Sequence, residues 1–522
     1  MRIYDARTFS YYFTLKKYFC VSNHFYDLFL FDKSHEQVYD IGRFMVKKQR
    51  QLNPYLLLIL SFLGLVLLGS FLLSMPFAFR NNPNNEWCHG GTYMDAFFTS
   101  LSAMSNTGVT TYPAGLADTL SIPGQIIVLV LVQIGGLGIV TILTFLFTLF
   151  RRNLEFKNRL MISQAIAFNN FSEIVKFVRR LMIITVVCEV IGFGLGIPVY
   201  IKMFPDNVPK ALYYSFFYSI SAFNNAGFDL SSGTTSFIDG IHSTGGLMIE
   251  TTNWLYYYST IYLAVLSLLG GLSFLVIIEV VLGHKPPRRW SAFTKIVLAM
   301  TVGMILLFSL LLFLFEGFKP ENPMNYYESL MQIINCRTAG FTFYSQEDIS
   351  LPGRMLCCIM MFVGGAPLST AGGIKITTVF IIVLSIISYF RGKRMSAFKR
   401  RYSDTMVAKS MSLVFVVFAI LLLAFVGLVI FGTKEVEGYP LSDDIKNNIV
   451  PFYLYEVFSF FGNVGFYTGL ESHLSVGSAI ILCLLMLLGH LGPMAFFQLF
   501  QNHLDKNANV HYSFVEEDFL IG

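Results

Sequence analysis

The stretch SAFNNAGFD, residues 221–229, sets two asparagines, a glycine and an aspartate between long apolar runs. It has three counterparts. SAMSNTGVT closes its polar core at Gly108, SAFNNAGFD at Gly227, INCRTAGFT at Gly340 and SFFGNVGFY at Gly465, at intervals of 119, 113 and 125 residues. Each follows a short amphipathic piece and precedes a long apolar segment. Those segments share a second mark: QIGGLG (133–138), LLGGLS (268–273), FVGGAP (362–367) and LLGHLG (487–492). Self-similarity of this kind constrains a fold more than any local preference. The chain reads as four copies of one plan: span, short re-entrant helix, polar loop, span.

Composition places this plan in a membrane. Of the 522 residues, 54% are hydrophobic and 13% charged, against about 25% charged in soluble domains. A bilayer crossing needs roughly 20 apolar residues. Eight spans are expected near 54–79, 121–150, 179–203, 247–282, 293–316, 353–390, 407–432 and 474–500. The pieces near 92–107, 209–226, 324–339 and 446–464 are too short to cross. The expected fold is an all-α polytopic membrane protein: a cytoplasmic tail 1–50, repeats at 51–150, 151–282, 283–390 and 391–500, and a cytoplasmic tail 501–522. Lysine and arginine set the orientation. Residues 1–50 carry nine, 151–180 seven, 283–295 four and 391–409 seven, while the alternate loops carry few. Both termini should face the cytoplasm, with the four short pieces dipping in from outside. The net charge of +5 lies in these clusters, which fits topology and not nucleic-acid binding. Seven scattered cysteines show neither CxxC nor metal-type spacing. Residues 1–50 lack the apolar core of a signal peptide.

Non-helical backbone at membrane depth persists where it is buried in protein or lines a watery path. Four equivalent loops in one chain can meet on a common axis, where their carbonyl oxygens replace an ion's hydration shell. Glycine closes each loop because such a backbone needs dihedrals that a Cβ resists. The partly negative C-termini of the short helices favour cations there. The four loops therefore read as quarters of a cation filter.

SAFNNAGFDL, RTAGF (337–341), QIGGLG and STAGGIKITT (369–378) together resemble the Trk/Ktr/HKT superfamily of potassium transporters, most closely the eight-span membrane subunit of bacterial Ktr systems, over about residues 50–500. The resemblance implies a filter for potassium, the transported ion, built from Ser105, Asn106, Thr107 and Gly108; Asn224, Asn225, Ala226 and Gly227; Arg337, Thr338, Ala339 and Gly340; and Gly462, Asn463, Val464 and Gly465. In the plant branch, serine at the first filter glycine goes with sodium preference, so Gly108 favours potassium. Ser105, Asn106 and Asn463 stand where threonine or valine is more usual. The resemblance also implies a homodimer on a cytosolic ring of nucleotide-binding regulatory subunits of the KtrA/TrkA type, for which segments 151–180 and 391–409 offer docking surface or serve topology alone. The tail 1–50 is expected to lie along the inner leaflet lipids, to contact the partner or to move freely.

Two asymmetries stand out. The sixth span is interrupted by Gly364, Gly365, Pro367, Gly372 and Gly373, residues that weaken a helix. The resemblance implies an intramembrane gate there, with Lys375 at its cytoplasmic edge either as part of the gate or snorkelling. His490 occupies the place of Gly136, Gly271 and Gly365, where the family usually has arginine. It is expected to act as a pH-sensitive barrier below the filter or as a buried neutral histidine. Arg337 should point away from a cation path and pair with Asp95, Glu328 or Glu456. Glu189, Glu250 and Glu279 are further boundary acids without an assigned role. No Walker motif, GxGxxG in a βαβ context, HExxH or GxSxG occurs, so neither a nucleotide site nor an enzyme is expected. Three functions remain open: gated potassium uptake, sodium-coupled transport, and a non-conducting membrane scaffold.

Overall fold

The computed structural model describes residues 54–80, 92–138, 141, 174–230, 254–283, 286–320, 322–434, 445–446, 448–466 and 468–493. Both tails, Glu250 and most of the basic segment 151–180 lie outside the described residues. Among the described residues the regular structure is helical apart from one short hairpin of two-residue strands, Ser396–Ala397 with Arg400–Arg401.

The helices fall into four groups. The first holds α1 (Pro54–Leu73), α2 (Tyr93–Met104) and α3 (Ile122–Leu137). The second holds α4 (Ile174–Met203), α5 (Val208–Phe223) and α6 (Trp254–Gly271). The third holds α7 (Ala292–Glu316), α8 (Tyr326–Cys336), α9 (Leu351–Phe362) and α10 (Ile376–Phe390). The fourth holds α11 (Asp404–Phe431), α12 (Ile449–Gly462) and α13 (Val476–Leu491). Within each group the short helix packs between its two neighbours. Between groups the helix after each loop packs on the next short helix: α3 on α5, α6 on α8, α9 on α12 and α13 on α2. That last pairing joins the end of the chain to its beginning and closes a cycle.

Local chemistry sets the helix starts. Thr92 and Asp95 form a capping box on α2, and Asn325 and Glu328 form one on α8. Ser121, Ser350 and Ser475 cap α3, α9 and α13 by accepting the backbone N–H three residues on. Each cap satisfies helix N–H groups that have no intrahelical partner. Ser121–Gly124 and Ser350–Gly353 share the pattern Ser-x-Pro-Gly, with the proline in the first turn, where its missing donor costs nothing.

Among the described residues, three helices, Val175–Met203, Ala292–Glu316 and Asp404–Phe431, are long and apolar enough to cross a bilayer alone. Their outer faces expose Ile183, Val187 and Val190 on α4, Val302 and Leu306 on α7, and Phe415, Leu423 and Ile430 on α11. Side chains of this kind facing outward suit contact with lipid.

The stretches 247–282 and 353–390 are not continuous spans. α6 ends at Gly271, and the chain bends by 101° into Phe274–Leu282. α9 ends at Phe362 and helix resumes only at Ile376. Likewise, α3 ends at Leu137 and α13 at Leu491, before Gly138 (φ 77°) and Gly492 (φ 81°). The repeated mark, a glycine pair in three groups and Gly489-His490 in the fourth, lies at all four breaks. A Cβ on Gly135, Gly270 or Gly489 would lie 2.1, 1.8 or 1.9 Å from the carbonyl oxygen of Met104, Phe223 or Phe461. These glycines let the helix after each loop lie against the C-terminal end of a short helix.

Candidate functional site: four glycine loops and the segment beneath them

Each short helix ends in the candidate filter residues, and three of the four end identically. The N–H groups of Asn106, Asn225 and Asn463 donate to Ala103, Ala222 and Phe460, three residues back. Those of Thr107, Ala226 and Val464 donate to Ser102, Ser221 and Ser459, five residues back. This pair of bonds is a Schellman cap, which needs a left-handed residue. Asn106, Asn225 and Asn463 supply it at φ 55°, 55° and 52°. Asparagine tolerates that region better than other residues with a side chain. The glycine two residues on is again left-handed, at φ 87°, 66° and 71° for Gly108, Gly227 and Gly465. Ser105, Asn224 and Gly462 lie at the helix ends rather than in the extended part of the loops.

The four glycines meet. A Cβ on Gly108 would lie 1.9 Å from Ala226 O, on Gly227 2.7 Å from Ala339 O, on Gly340 2.0 Å from Val464 O, and on Gly465 1.7 Å from Thr107 O. In every case the obstacle is the carbonyl just before the next loop's glycine. The contacts run from loop one to two, three, four and back to one. A side chain at any of these positions would force the facing backbone to shift, because real Cβ contacts under 3.0 Å essentially never occur.

The asparagines hold this arrangement from outside it. Asn106 Nδ2 donates to Asn224 O at 2.7 Å. Asn463 Nδ2 donates to Thr107 Oγ1 at 3.0 Å and to Met486 O at 3.1 Å. Asn224 Nδ2 donates to Gln133 Oε1 at 2.9 Å and to Glu189 Oε1 at 3.2 Å, which gives Glu189 a partner behind the second loop. With its nitrogen turned to Ser267 O at 2.8 Å, Asn225 accepts from Gly271 N at 3.0 Å and from Thr370 Oγ1 at 3.3 Å.

The third loop is built differently. Arg337 N donates to Ile334 O, and Ala339 N and Gly340 N both donate to Asn335 O. The left-handed residue is Thr338, at φ 74°, an unfavourable place for a β-branched side chain. Arg337 is buried, and its Nε and Nη2 have no hydrogen-bond partner. None of the three expected acids reaches it. Asp95 and Glu328 sit in capping boxes in the first turns of α2 and α8. The 11-residue α8 is roughly 16 Å long, which separates Glu328 from the loop at its other end. Glu456 bonds to Thr468 Oγ1.

One residue in each of loops one, two and four was not singled out in the sequence. Ser102 Oγ accepts Val109 N at 2.9 Å, Ser459 Oγ accepts Gly465 N at 3.1 Å, and Ser221 Oγ donates to Phe228 O at 3.1 Å. Each ties the helix end to the chain leaving the loop. The signal was available: serine opens SAMSNTG, SAFNNAG and SFFGNVG, while isoleucine opens INCRTAG.

The candidate gate residues occupy the non-helical segment between α9 and α10. Its backbone is held by the broken end of α6: Ala366 N donates to Gly271 O and Thr370 N to Gly270 O. Val363 and Ile374 pair in parallel across its base. A Cβ on Gly364 would lie 1.9 Å from Gly372 O, and one on Gly372 2.3 Å from Asn463 Oδ1. A Cβ on Gly365 would meet Ala371 Cβ at 2.3 Å and Gly271 O at 3.0 Å. Beside this segment lies a cavity of about 380 Å³, lined among others by Met104, Gly136, Pro367, Thr370, Lys375 and His490. Lys375 Nζ donates to Ala371 O at 2.5 Å, so it braces the segment from within. The His490 ring packs against Phe62, with ring centroids 5.4 Å apart.

Apolar outward faces, a closed cycle of helices and four converging polar loops define a helical membrane protein of the ion-transport class. A family model, TrkH, described as a cation transport protein, matches residues 89–512. The chain belongs to this family and is a multi-pass membrane transporter of cations, not an enzyme. It is 28% identical over 484 residues to the potassium/sodium uptake protein NtpJ of Enterococcus hirae, covering 91% of this chain and 98% of that protein. It is 30% identical over 480 residues to the Ktr system potassium uptake protein D of Bacillus subtilis, covering 90% and 98%. Its fold is similar to that of the potassium transporter TrkH from Vibrio parahaemolyticus, with a TM-score of 0.58, 18% identity and 86% of each chain covered.

Proposed function

We propose that the chain takes up potassium through a filter of the four loops, arranged as four pseudo-fourfold repeats with eight membrane crossings. The reading rests on one observation: each loop glycine abuts the carbonyl of the next loop, in a cycle that closes on itself. Carbonyls gathered in this way, free of side chains, replace the hydration shell of a monovalent cation. The four short helices aim their C-terminal dipoles at the same place. Segment 363–375 acts as the gate beneath, Lys375 holds its shape, and His490 sets the charge of the cavity wall. Both termini face the cytoplasm. The protein works as a homodimer on a nucleotide-binding regulatory ring, a reading supported by relatives named as parts of Ktr systems.

Rescue of a potassium-uptake-deficient cell tests this reading, with Gly108→Ser alongside. The native chain should restore growth on low potassium. Gly108→Ser should not, because its side chain collides with Ala226 O at a φ of 87°. Native protein present in the membrane without rescue would overturn potassium uptake. The name of the Enterococcus hirae relative favours a second reading, in which sodium is carried or coupled. Rubidium uptake in sodium-free medium separates the two: undiminished flux supports the uncoupled path.

A further inference from the structure

Behind three of the four loops, a side chain on the short helix reaches across to the chain leaving the glycine. Thr99 Oγ1 meets Thr110 Oγ1 at 3.0 Å, and Tyr218 OH meets Asp229 Oδ1. In the fourth, Glu456 Oε1 accepts from Thr468 Oγ1. Thr99, Tyr218 and Glu456 all stand nine residues before their glycine. At the third loop that position is Met331, and the strut is made instead by Gln332 Nε2 and Gln346 Oε1, 2.9 Å apart.

The fourth strut differs in chemistry because it holds a second carboxyl group. Glu471 Oε1 accepts Thr468 N at 2.9 Å. Glu456 and Glu471 are held by the same residue, through the hydroxyl and the N–H of Thr468, and each is 1% exposed. The Oε2 atoms of both are buried without a hydrogen-bond partner, and neither group forms an ion pair among the described residues. The other titratable groups around them are the Tyr455 phenol on α12, the Cys358 thiol and Arg354 on α9, Glu347 near Gly469, and His473, whose Nδ1 lies 3.0 Å from Gly469 O; the Arg354 guanidinium lies over the Phe452 ring, 3.9 Å from its centroid. Two buried carboxylates side by side on one residue, with no cation paired to either, repel each other strongly unless they share a proton.

We propose that Glu456 and Glu471 share one proton, and that this proton locks the outer arm of the fourth loop to α12, so that cation flux falls when the proton is lost. The idea rests on the reading of the loops as the ion path. Burial pushes the Glu471 carboxyl from its ordinary 4.5 up to about 7. The sign follows: at and below neutral pH the proton is held and the arm is locked. As pH rises through about 7, two negative charges face each other and the arm loosens.

The test compares external pH dependence of rubidium uptake in the native protein and in Glu471→Gln, whose amide donates permanently to Glu456. Native uptake should fall about fivefold between mildly acidic and alkaline medium, equivalent to roughly 1 kcal/mol. Glu471→Gln should keep its acid-level uptake throughout. A flat native profile, or the same alkaline decline in both proteins, overturns the proposal. Thermal melting of the purified proteins against pH is read in parallel. The native Tm should drop above neutrality while that of Glu471→Gln does not, a result independent of whether the loops conduct. Restoration of the alkaline Tm by sodium or calcium would place a metal ion between the carboxyls and overturn the shared proton.

Discussion

The third loop and its three counterparts arrive at the same glycine by different routes. Loops one, two and four leave their helices through an asparagine cap and are tied back by Ser102, Ser221 and Ser459. Loop three has Thr338 in the left-handed position, Ile334 in place of the serine, and a buried arginine whose Nε and Nη2 are unpartnered. The same third group carries the long helical break of residues 363–375. Divergence nevertheless stops at Gly340, which abuts Val464 O at 2.0 Å just as its counterparts abut theirs. The scaffold behind a loop can vary, but the point where the loops touch cannot.

The sharpest way to break this comparison is to put a Cβ at that point in loops three and four. Gly340→Ala and Gly465→Ala each drive a methyl into a neighbouring carbonyl at positive φ. Overpacking of this kind costs about 3 kcal/mol or more, so both should abolish rubidium uptake in cells that still make the protein. If Gly340→Ala conducts while Gly465→Ala does not, the third loop is no equal partner and the common-axis reading fails.

The third group also differs in what lies beneath it. Thr370 Oγ1 bonds the Asn225 carboxamide, a direct link between segment 363–375 and the second loop. Thr370→Val keeps the shape and removes the bond, whose net worth is about 1 kcal/mol. A gate held shut by that bond should leak, raising basal rubidium flux about fivefold. Unchanged or lower flux would mean that the segment does not occlude the path through this contact.

Much of this contrast was legible in the sequence. The four glycines, the repeated glycine pair and the interrupted sixth span are all placed by short-range patterns, and the structure sets helix ends at each of them. The partners of Arg337 were not legible, because Asp95 and Glu328 are spent on capping helices at the far end. That much was readable in Thr92-x-x-Asp95 and Asn325-x-x-Glu328, had helix starts been weighed against ion pairs. The conformation of the asparagines was not legible for a different reason. Asn106 and Asn463 look like odd filter residues in a string of letters, but their backbone φ shows them to be helix caps. Closure of the cycle between α13 and α2 joins residues almost 400 positions apart, beyond any local pattern.

The smallest expected effect tests the cap itself. Thr338 holds φ 74° without the side-chain tolerance that asparagine brings, at a cost of about 1 kcal/mol. Thr338→Asn installs at the third loop the residue that its counterparts use. The glycine contact is untouched, so uptake should continue while the Tm of the purified protein rises by about 1 °C. A lower Tm would show that the hydrogen-bond pattern at Asn335, one residue out of step with the other caps, makes threonine the better fit. The third loop would then be adapted to its own geometry rather than strained within a shared one.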